Sequence, residues 1–303
     1  MSPIEIILNA SAGKDSDDDI AVNLSKLFEA KGIDVRINEA GSGDEIVDLA
    51  KRAARSDAQT VVAGGGDGTI SAVAAAIAGT DKRLGVLPLG TLNHFGKDIN
   101  IPADLAAAVD VIAAGHTIDV DVAEVNERVF INNSSLGLYP DMVRGRELRQ
   151  RLGYGKWHSL ARSALTVFRR YPLLAVRLKA DGKEIVTHTP FIFIGNNEYE
   201  IESFSVGGRE RLDAGHLSVY MTRRSGRLAL LKIAIKAVFG GLSQEKDFLR
   251  VMADEVLIET RKSNIRVALD GEVVMMSPPL QYRIRPGAIR VIVPQPAKDE
   301  DAA

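Results

Sequence analysis

The chain has 303 residues, 46% hydrophobic and 26% charged, enough apolar material for a sizeable core in about two domains. Its 38 Lys and Arg against 40 Asp and Glu give a formal net charge of −2, which excludes a protein that coats nucleic acid over its whole surface. It has no cysteine, which excludes a disulfide scaffold, Cys-ligated zinc or iron–sulfur centres and a cysteine nucleophile, and fits a reducing cytosol.

The near-balance hides an asymmetry. Residues 1–120 carry 10 Lys and Arg and 18 Asp and Glu, a net of −8; the rest of the chain carries 28 and 22, a net of +6. The two halves are expected to meet different partners. The stretch Leu228 to Leu242 is apolar but interrupted by Lys232 and Lys236, and is too short to span a bilayer. The start, MSPIEIILNAS, lacks a basic n-region and does not read as a secretory signal.

Residues 4–8 read as a buried strand ending at Asn9-Ala10-Ser11-Ala12-Gly13. Residues 17–31 have helical spacing, with Ile20, Leu24, Leu27 and Phe28 on one face, and Gly32 stops them. A strand is expected from Ile33 to Ile37, a helix from Ile46 to Ala54 and a short strand from Thr60 to Ala63. Gly64-Gly65-Gly66-Asp67-Gly68-Thr69 follows, then an Ala-rich helix from Ile70 to Ala78. Leu84 to Leu87 reads as a strand ended by Pro88-Leu89-Gly90-Thr91, and Leu105 to Ala114 as a helix. Such alternation implies a parallel sheet with ligands at the C-terminal ends of its strands.

Near residue 117 the pattern changes. Strands are expected at 118–124, 128–132, 175–180, 184–189, 191–195, 216–221, 255–260, 264–269 and 281–294. Hairpin turns are expected at Asp181-Gly182, Asp270-Gly271 and Pro286-Gly287. The predicted organisation is an α/β domain over 1–120, an antiparallel β domain over 121–294, and an acidic tail over 295–303.

Three turns carry the first chemical signal. Glycines at 64–68, directly between a strand and a helix, let backbone N–H groups approach phosphate at the positive end of the helix. Asp67 would ligate Mg²⁺ through water or orient a reacting hydroxyl; otherwise this is a tight turn capped by Asp67 or Thr69. Asn9 to Lys14 and Gly90-Thr91-Leu92-Asn93 supply small, hydroxyl and amide groups at two further strand ends, and together the three turns would line one phosphate site. The Walker A spacing is absent. The second signal is Leu269-Asp270-Gly271-Glu272, either a simple hairpin or a turn whose Asp270 or Glu272 takes a proton from a substrate hydroxyl. The five histidines lack the paired spacing of a zinc helix.

Together these motifs resemble the diacylglycerol kinase catalytic-domain family, which includes bacterial soluble lipid kinases and is related to sphingosine and ceramide kinases. Gly65-Gly66-Asp67-Gly68-Thr69 resembles its nucleotide loop, and Pro88 to Phe95 its PxGTxNDF signature. Asn132 to Gly137 resembles the opening of its second domain, and Leu269 to Glu272 its catalytic turn. The resemblance spans Ile4 to about Val293. It implies an α/β domain similar to phosphofructokinase and NAD kinase, a C-terminal β-sandwich and a nucleotide cleft between them. It also implies ATP and Mg²⁺. Asn9, Ser11, Ala12, Gly13, Gly65, Gly66, Asp67, Gly68, Thr69, Thr91 and Asn93 would serve the nucleotide. Glu272, with Asp270 beside it, would accept the proton, and Asp121 would join the metal and water network.

The sequence departs from the family pattern in four places. Ile70-Ser71-Ala72-Val73 replaces the usual NEV continuation, no threonine occurs in Asn38-Glu39-Ala40-Gly41, and His94 replaces an Asp. Ala214 stands where the resemblance expects a structural-metal ligand, so that either the metal is lost or Asp213 substitutes.

A lipid kinase must touch a bilayer without spanning it. Residues 141–170 hold eight Lys and Arg against Asp141 and Glu147, interleaved with Trp157, Leu160, Leu165, Val167 and Phe168. Residues 222–240 hold five more among Leu, Ile, Val and Phe239. Such segments attract anionic lipid headgroups at about 1 kcal/mol per basic residue. The expected protein is cytoplasmic, peripheral at the inner membrane face, with a lipid alcohol as acceptor and no nucleic-acid partner. Diacylglycerol is the default acceptor, with a ceramide or sphingoid base beside it. An NAD kinase-like enzyme with a soluble acceptor and a weakly catalytic nucleotide-binding regulator are the other readings. The sequence leaves homo-oligomerisation open.

Overall fold

The computed structural model describes residues 3–11, 20–137, 173–199, 201–202, 205–206, 208–222 and 248–295. Ala12, Gly13, the 141–170 segment, all of the 222–240 segment beyond Thr222, and the tail from 296 lie outside them. The chain divides into two compact units, Met1–Val122 with Gly287–Ala303, and Ala123–Pro286. The sequence reading assigned residues 287–294 to the β half; they cluster with the first unit.

The first unit follows the predicted alternation. Its elements are β1 (Ile4–Asn9), α1 (Ile20–Glu29), β2 (Val35–Ala40), α2 (Gly43–Arg55), β3 (Thr60–Gly65), α3 (Asp67–Ile77), β4 (Arg83–Pro88), α4 (His94–Asp98), α5 (Leu105–Ala114) and the start of β5 (Thr117–Val125). The parallel order β2-β1-β3-β4 places β1 and β3 side by side, with Leu8 opposite Gly64 and Gly65 opposite Pro88. β3 is buried along its whole length, as a strand with neighbours on both sides and helices over it should be. The chain leaves β1 toward β2 and leaves β3 toward β4, so their C-terminal ends form a topological switch point. α1 buries Leu24 and Phe28. α5 starts on an Asp104 side-chain cap and ends at Gly115 with φ +67°.

The second unit is all β apart from loops among the described residues. It takes the rest of β5, then β6 (Arg128–Phe130), β7 (Asn133–Gly137), β8 (Leu174–Ala180), β9 (Lys183–Thr189), β10 (Phe191–Asn196), β11 (Ile201–Glu202), β12 (Ser205–Val206), β13 (Leu217–Thr222), β14 (Phe248–Ala253), β15 (Glu255–Thr260), β16 (Ile265–Leu269), β17 (Glu272–Met276) and the first part of β18 (Leu280–Ile292). One antiparallel sheet runs β14-β13-β10-β7-β16-β17. A second layer pairs β18 with β15, β15 with β8 and β8 with β9, with β5 on β18 and β6 on β5. Their inner faces share one core that includes Phe130, Leu136, Val219, Val256, Val267 and Tyr282, a β-sandwich as expected.

Two predicted hairpins form. Asp181 and Gly182 both take positive φ between β8 and β9, and Asp270 and Gly271 do so between β16 and β17. The third does not. β18 continues through Pro286 and Gly287, and Gly287 bends it at φ +57°. A proline without an N–H followed by a left-handed glycine interrupts a strand as well as it turns one. β7, β11, β12, β14, β17 and the one-turn α4 are not among the elements expected from the sequence.

Candidate active site

In the first unit, the three predicted turns sit at the C-terminal ends of adjacent strands β1, β3 and β4. Asn9 donates from Nδ2 to Thr69 Oγ1 at 3.5 Å, and its Oδ1 accepts the Ser11 N–H at 2.9 Å. The β1 turn is therefore tied to the first turn of α3. A side chain at Gly65 would collide with Thr69, which is buried. The β3 and β4 turns meet through glycines. A Cβ on Gly90 would strike Gly66 Cα and lie 2.8 Å from Asn93 Oδ1.

Gly68 differs. It is exposed on the first turn of α3, and a Cβ there would meet no heavy atom of the described residues within 4 Å. Glycine costs about 0.5–1 kcal/mol against alanine inside a helix. Nothing among the described residues requires it at 68. A ligand brought close to the helix N-terminus would, and the free N–H groups there suit phosphate.

Asp67 begins α3, and its Oδ1 accepts the Phe95 N–H at 3.2 Å. One carboxylate oxygen thus caps α4, and the group is half-buried. Asn93 spends its amide inside its own loop, donating to Pro88 O at 2.9 Å and Gly90 O at 2.7 Å while accepting from Gly90 N at 3.0 Å. Its φ of +49° and these bonds make it a brace for the turn that presents Thr91, which is exposed. Asp121 is buried on β5 and accepts the Gly287 N–H at 2.8 Å.

In the second unit, Asp270 and Glu272 separate clearly. Asp270 accepts three backbone N–H groups: Ile131 at 2.9 Å, Asn132 at 2.8 Å and Asn133 at 3.0 Å. Its own N–H donates to Asn133 O at 2.9 Å. Glu272 opens β17 opposite Leu269 and is exposed, and its side chain makes no hydrogen bond or ion pair to another described residue. Nearby, Ser134 Oγ and Tyr282 Oη meet at 3.0 Å inside the sandwich, and burial pushes the Tyr282 phenol well above its usual range.

Asp213 is exposed and accepts from Arg211 Nε at 3.0 Å, a bond that holds its carboxyl below the ordinary carboxylate value. One of its oxygens is committed to Arg211, and no group of three His, Asp or Glu among the described residues could hold a metal ion. A structural cation is therefore a poor fit to Asp213 as found.

Two buried charges, Glu124 and Arg209, carry no sign of burial in the sequence. Arg209 is buried among polar groups near Asn132 and Asn196, within a Gly-Gly-Arg-Glu-Arg run that gives no periodic sign of burial.

Two family models match successive stretches of the chain, which is thus similar to diacylglycerol kinases over most of its length. Residues 3–125 match the family model described as diacylglycerol kinase catalytic domain, and residues 145–293 match the one described as YegS C-terminal NAD kinase beta sandwich-like domain. A relative from Staphylococcus carnosus named diacylglycerol kinase is 34% identical over 44% of each chain. One from Klebsiella pneumoniae, named "Probable lipid kinase YegS-like", is 37% identical, again over 44% of each. In these alignments the chain thus spans less than half the length of either relative. A solved chain from Bacillus anthracis described as a diacylglycerol kinase has a TM-score of 0.69 over 98% of both chains at 22% identity, a likeness of fold.

Proposed function

We propose that the chain is an ATP-dependent lipid kinase that transfers the γ-phosphoryl group of ATP to the free hydroxyl of diacylglycerol, giving phosphatidic acid and ADP. The observation that carries this reading is the set of three turns at the switch point, with the Gly66–Gly90 contact and the open space at Gly68. The matches to the family models and the names of the relatives support the lipid alcohol as acceptor.

Asn9, Ser11, Gly66, Gly68, Thr69 and Thr91 bind the nucleotide phosphates through backbone N–H and side-chain groups. Asp67, whose Oδ1 caps α4 while no hydrogen bond to another described residue engages its Oδ2, would contribute one ligand to Mg²⁺, with the nucleotide phosphates and water supplying the rest. When bound, that ion neutralises charge on the β- and γ-phosphates. Glu272 accepts the hydroxyl proton as the oxygen attacks phosphorus and the bond to ADP breaks. Asp270 holds the turn that presents it. The free carboxylate of Glu272 against the committed one of Asp270 supports this division.

The basic segments 141–170 and 222–240 bring the protein to an anionic membrane surface from the cytoplasmic side. Their sequence supports this; among the described residues no helix is long and apolar enough to cross a membrane. The test is transfer from [γ-³²P]ATP to a panel of diacylglycerol, ceramide, sphingosine and NAD. Label in phosphatidic acid alone is expected. Label in NAD, or in no acceptor while ATP still binds, would defeat the proposal.

A further inference from the structure

Arg209 is 5% exposed, between β12 and β13. Its guanidinium donates to Ile131 O at 2.6 Å, Asn132 Oδ1 at 2.9 Å and Asn196 O at 3.2 Å, and its Cζ lies 5.3 Å from the Tyr199 ring centroid. Residues 131–133 are the same three that give their N–H groups to Asp270. A cation therefore takes Ile131 O and the Asn132 side-chain oxygen, and an anion takes the N–H groups of all three residues. The connection from Arg209 to Asp270 is one short run of backbone.

Burying a guanidinium has a large desolvation cost, and an apolar side chain of similar size would often fill the same space with less penalty. What the guanidinium offers is a flat, rigid fork that fixes several acceptors at once, which an ammonium cannot copy. Its acceptors here converge on the turn behind Asp270-Gly271-Glu272. Asn132 is held twice, by its side-chain oxygen on Arg209 and by its N–H on Asp270.

We propose that Arg209 is a positioning residue for the proton acceptor: by fixing residues 131–133 it fixes Asp270, and through Asp270 the direction of Glu272. This rests on the phosphoryl-transfer reading above. Arg209 touches neither substrate nor nucleotide in this scheme. Its loss should lower turnover without weakening ATP, because the ATP groups belong to the first unit.

The test uses the full chain with Arg209→Lys and Arg209→Met. Hydrogen exchange at the Ile131, Asn132 and Asn133 amides should speed up by about tenfold or more in both, since their protection depends on the clamp. With diacylglycerol, kcat should fall by about tenfold or more while KM for ATP stays within about twofold. In a third variant, Arg209→Ala, which leaves room for a small cation, added methylguanidinium should restore part of kcat, and it should restore none to Glu272→Gln. Unchanged exchange at 131–133 in Arg209→Lys, the variant least prone to misfold, would overturn the proposal. So would faster exchange with unchanged kcat. The kinase reading fails separately, on the wild-type protein alone, if no lipid alcohol is phosphorylated; the positioning role then falls with it, while the exchange data still report the clamp.

Discussion

Gly90 packs against Gly66 so closely that neither the Gly66 backbone nor the Asn93 side chain leaves room for a methyl group on it. This contact joins the turn after β4 to the turn after β3. It sets the spacing between two of the three segments assigned to the nucleotide. Gly90→Ala should therefore separate them. We expect a stability loss of about 1–3 kcal/mol from overpacking and at least about a tenfold loss of ATP affinity. Gly43→Ala, where a Cβ meets nothing within 4 Å, should change neither. Thermal melts and calorimetric titration with ATP check both.

Gly68→Ala separates fold from function at one residue. The site is open and helical, so the variant should melt at the same temperature or slightly higher, by up to about 1 kcal/mol of helix propensity. If the phosphates occupy that space, ATP affinity should nevertheless fall by about tenfold or more. Retained affinity would mean that the phosphates lie elsewhere.

Asp270→Asn and Glu272→Gln should fail in different ways. Asp270→Asn replaces one accepting oxygen with a donor facing backbone N–H groups, so it should cost about 1–3 kcal/mol of stability as well as turnover. Glu272→Gln should leave the melting temperature within about 0.5 kcal/mol equivalent, as exposed substitutions do. It should keep ATP binding and lose turnover.

Much of the first unit was legible because local signals agree with the global fold there. Apolar runs, glycine stops and a loop directly between strand and helix all point to β1, β3, α3 and β4. Boundaries slipped where a polar residue joined an element by pairing alone, as Asn38 and Glu39 do in β2 opposite Ile7 and Leu8. The β half was less legible. β7 reads Asn-Ser-Ser-Leu-Gly, with little β propensity, and is a strand because β10 and β16 flank it. Pro286-Gly287 looks like a hairpin turn in sequence, yet Asp121 receives the Gly287 N–H and the strand runs on. The roles of Asp270 and Glu272 could not be ranked from sequence because the ranking depends on the N–H groups of residues 131–133, far away in the chain. Arg209 had no signal at all, since an arginine in a polar loop normally faces water.

Tyr282 provides a pH signature of the sandwich core. Its phenol is raised in the folded protein by burial, with Ser134 as partner, so the folded state keeps the proton where the unfolded chain loses it. Its contribution is fully present below the unfolded value near pH ~10 and is lost as pH rises above that. Tyr282→Phe should cost about 0.5–1.5 kcal/mol at neutral pH for the lost hydrogen bond. Between pH 9 and 11 (about the range in which a free phenol titrates), its melting temperature should fall less steeply than that of wild type. Parallel slopes would show that Tyr282 does not titrate as burial dictates.

The central claim is that the Asp270–Glu272 turn serves phosphoryl transfer from ATP to a lipid hydroxyl. The most direct measurement incubates wild type and Glu272→Gln with [γ-³²P]ATP, Mg²⁺ and diacylglycerol in anionic vesicles, followed by lipid extraction and chromatography. Labelled phosphatidic acid from wild type, with little or none from a folded, ATP-binding Glu272→Gln, is the predicted result. Equal label from both proteins, or none from wild type, would contradict the account.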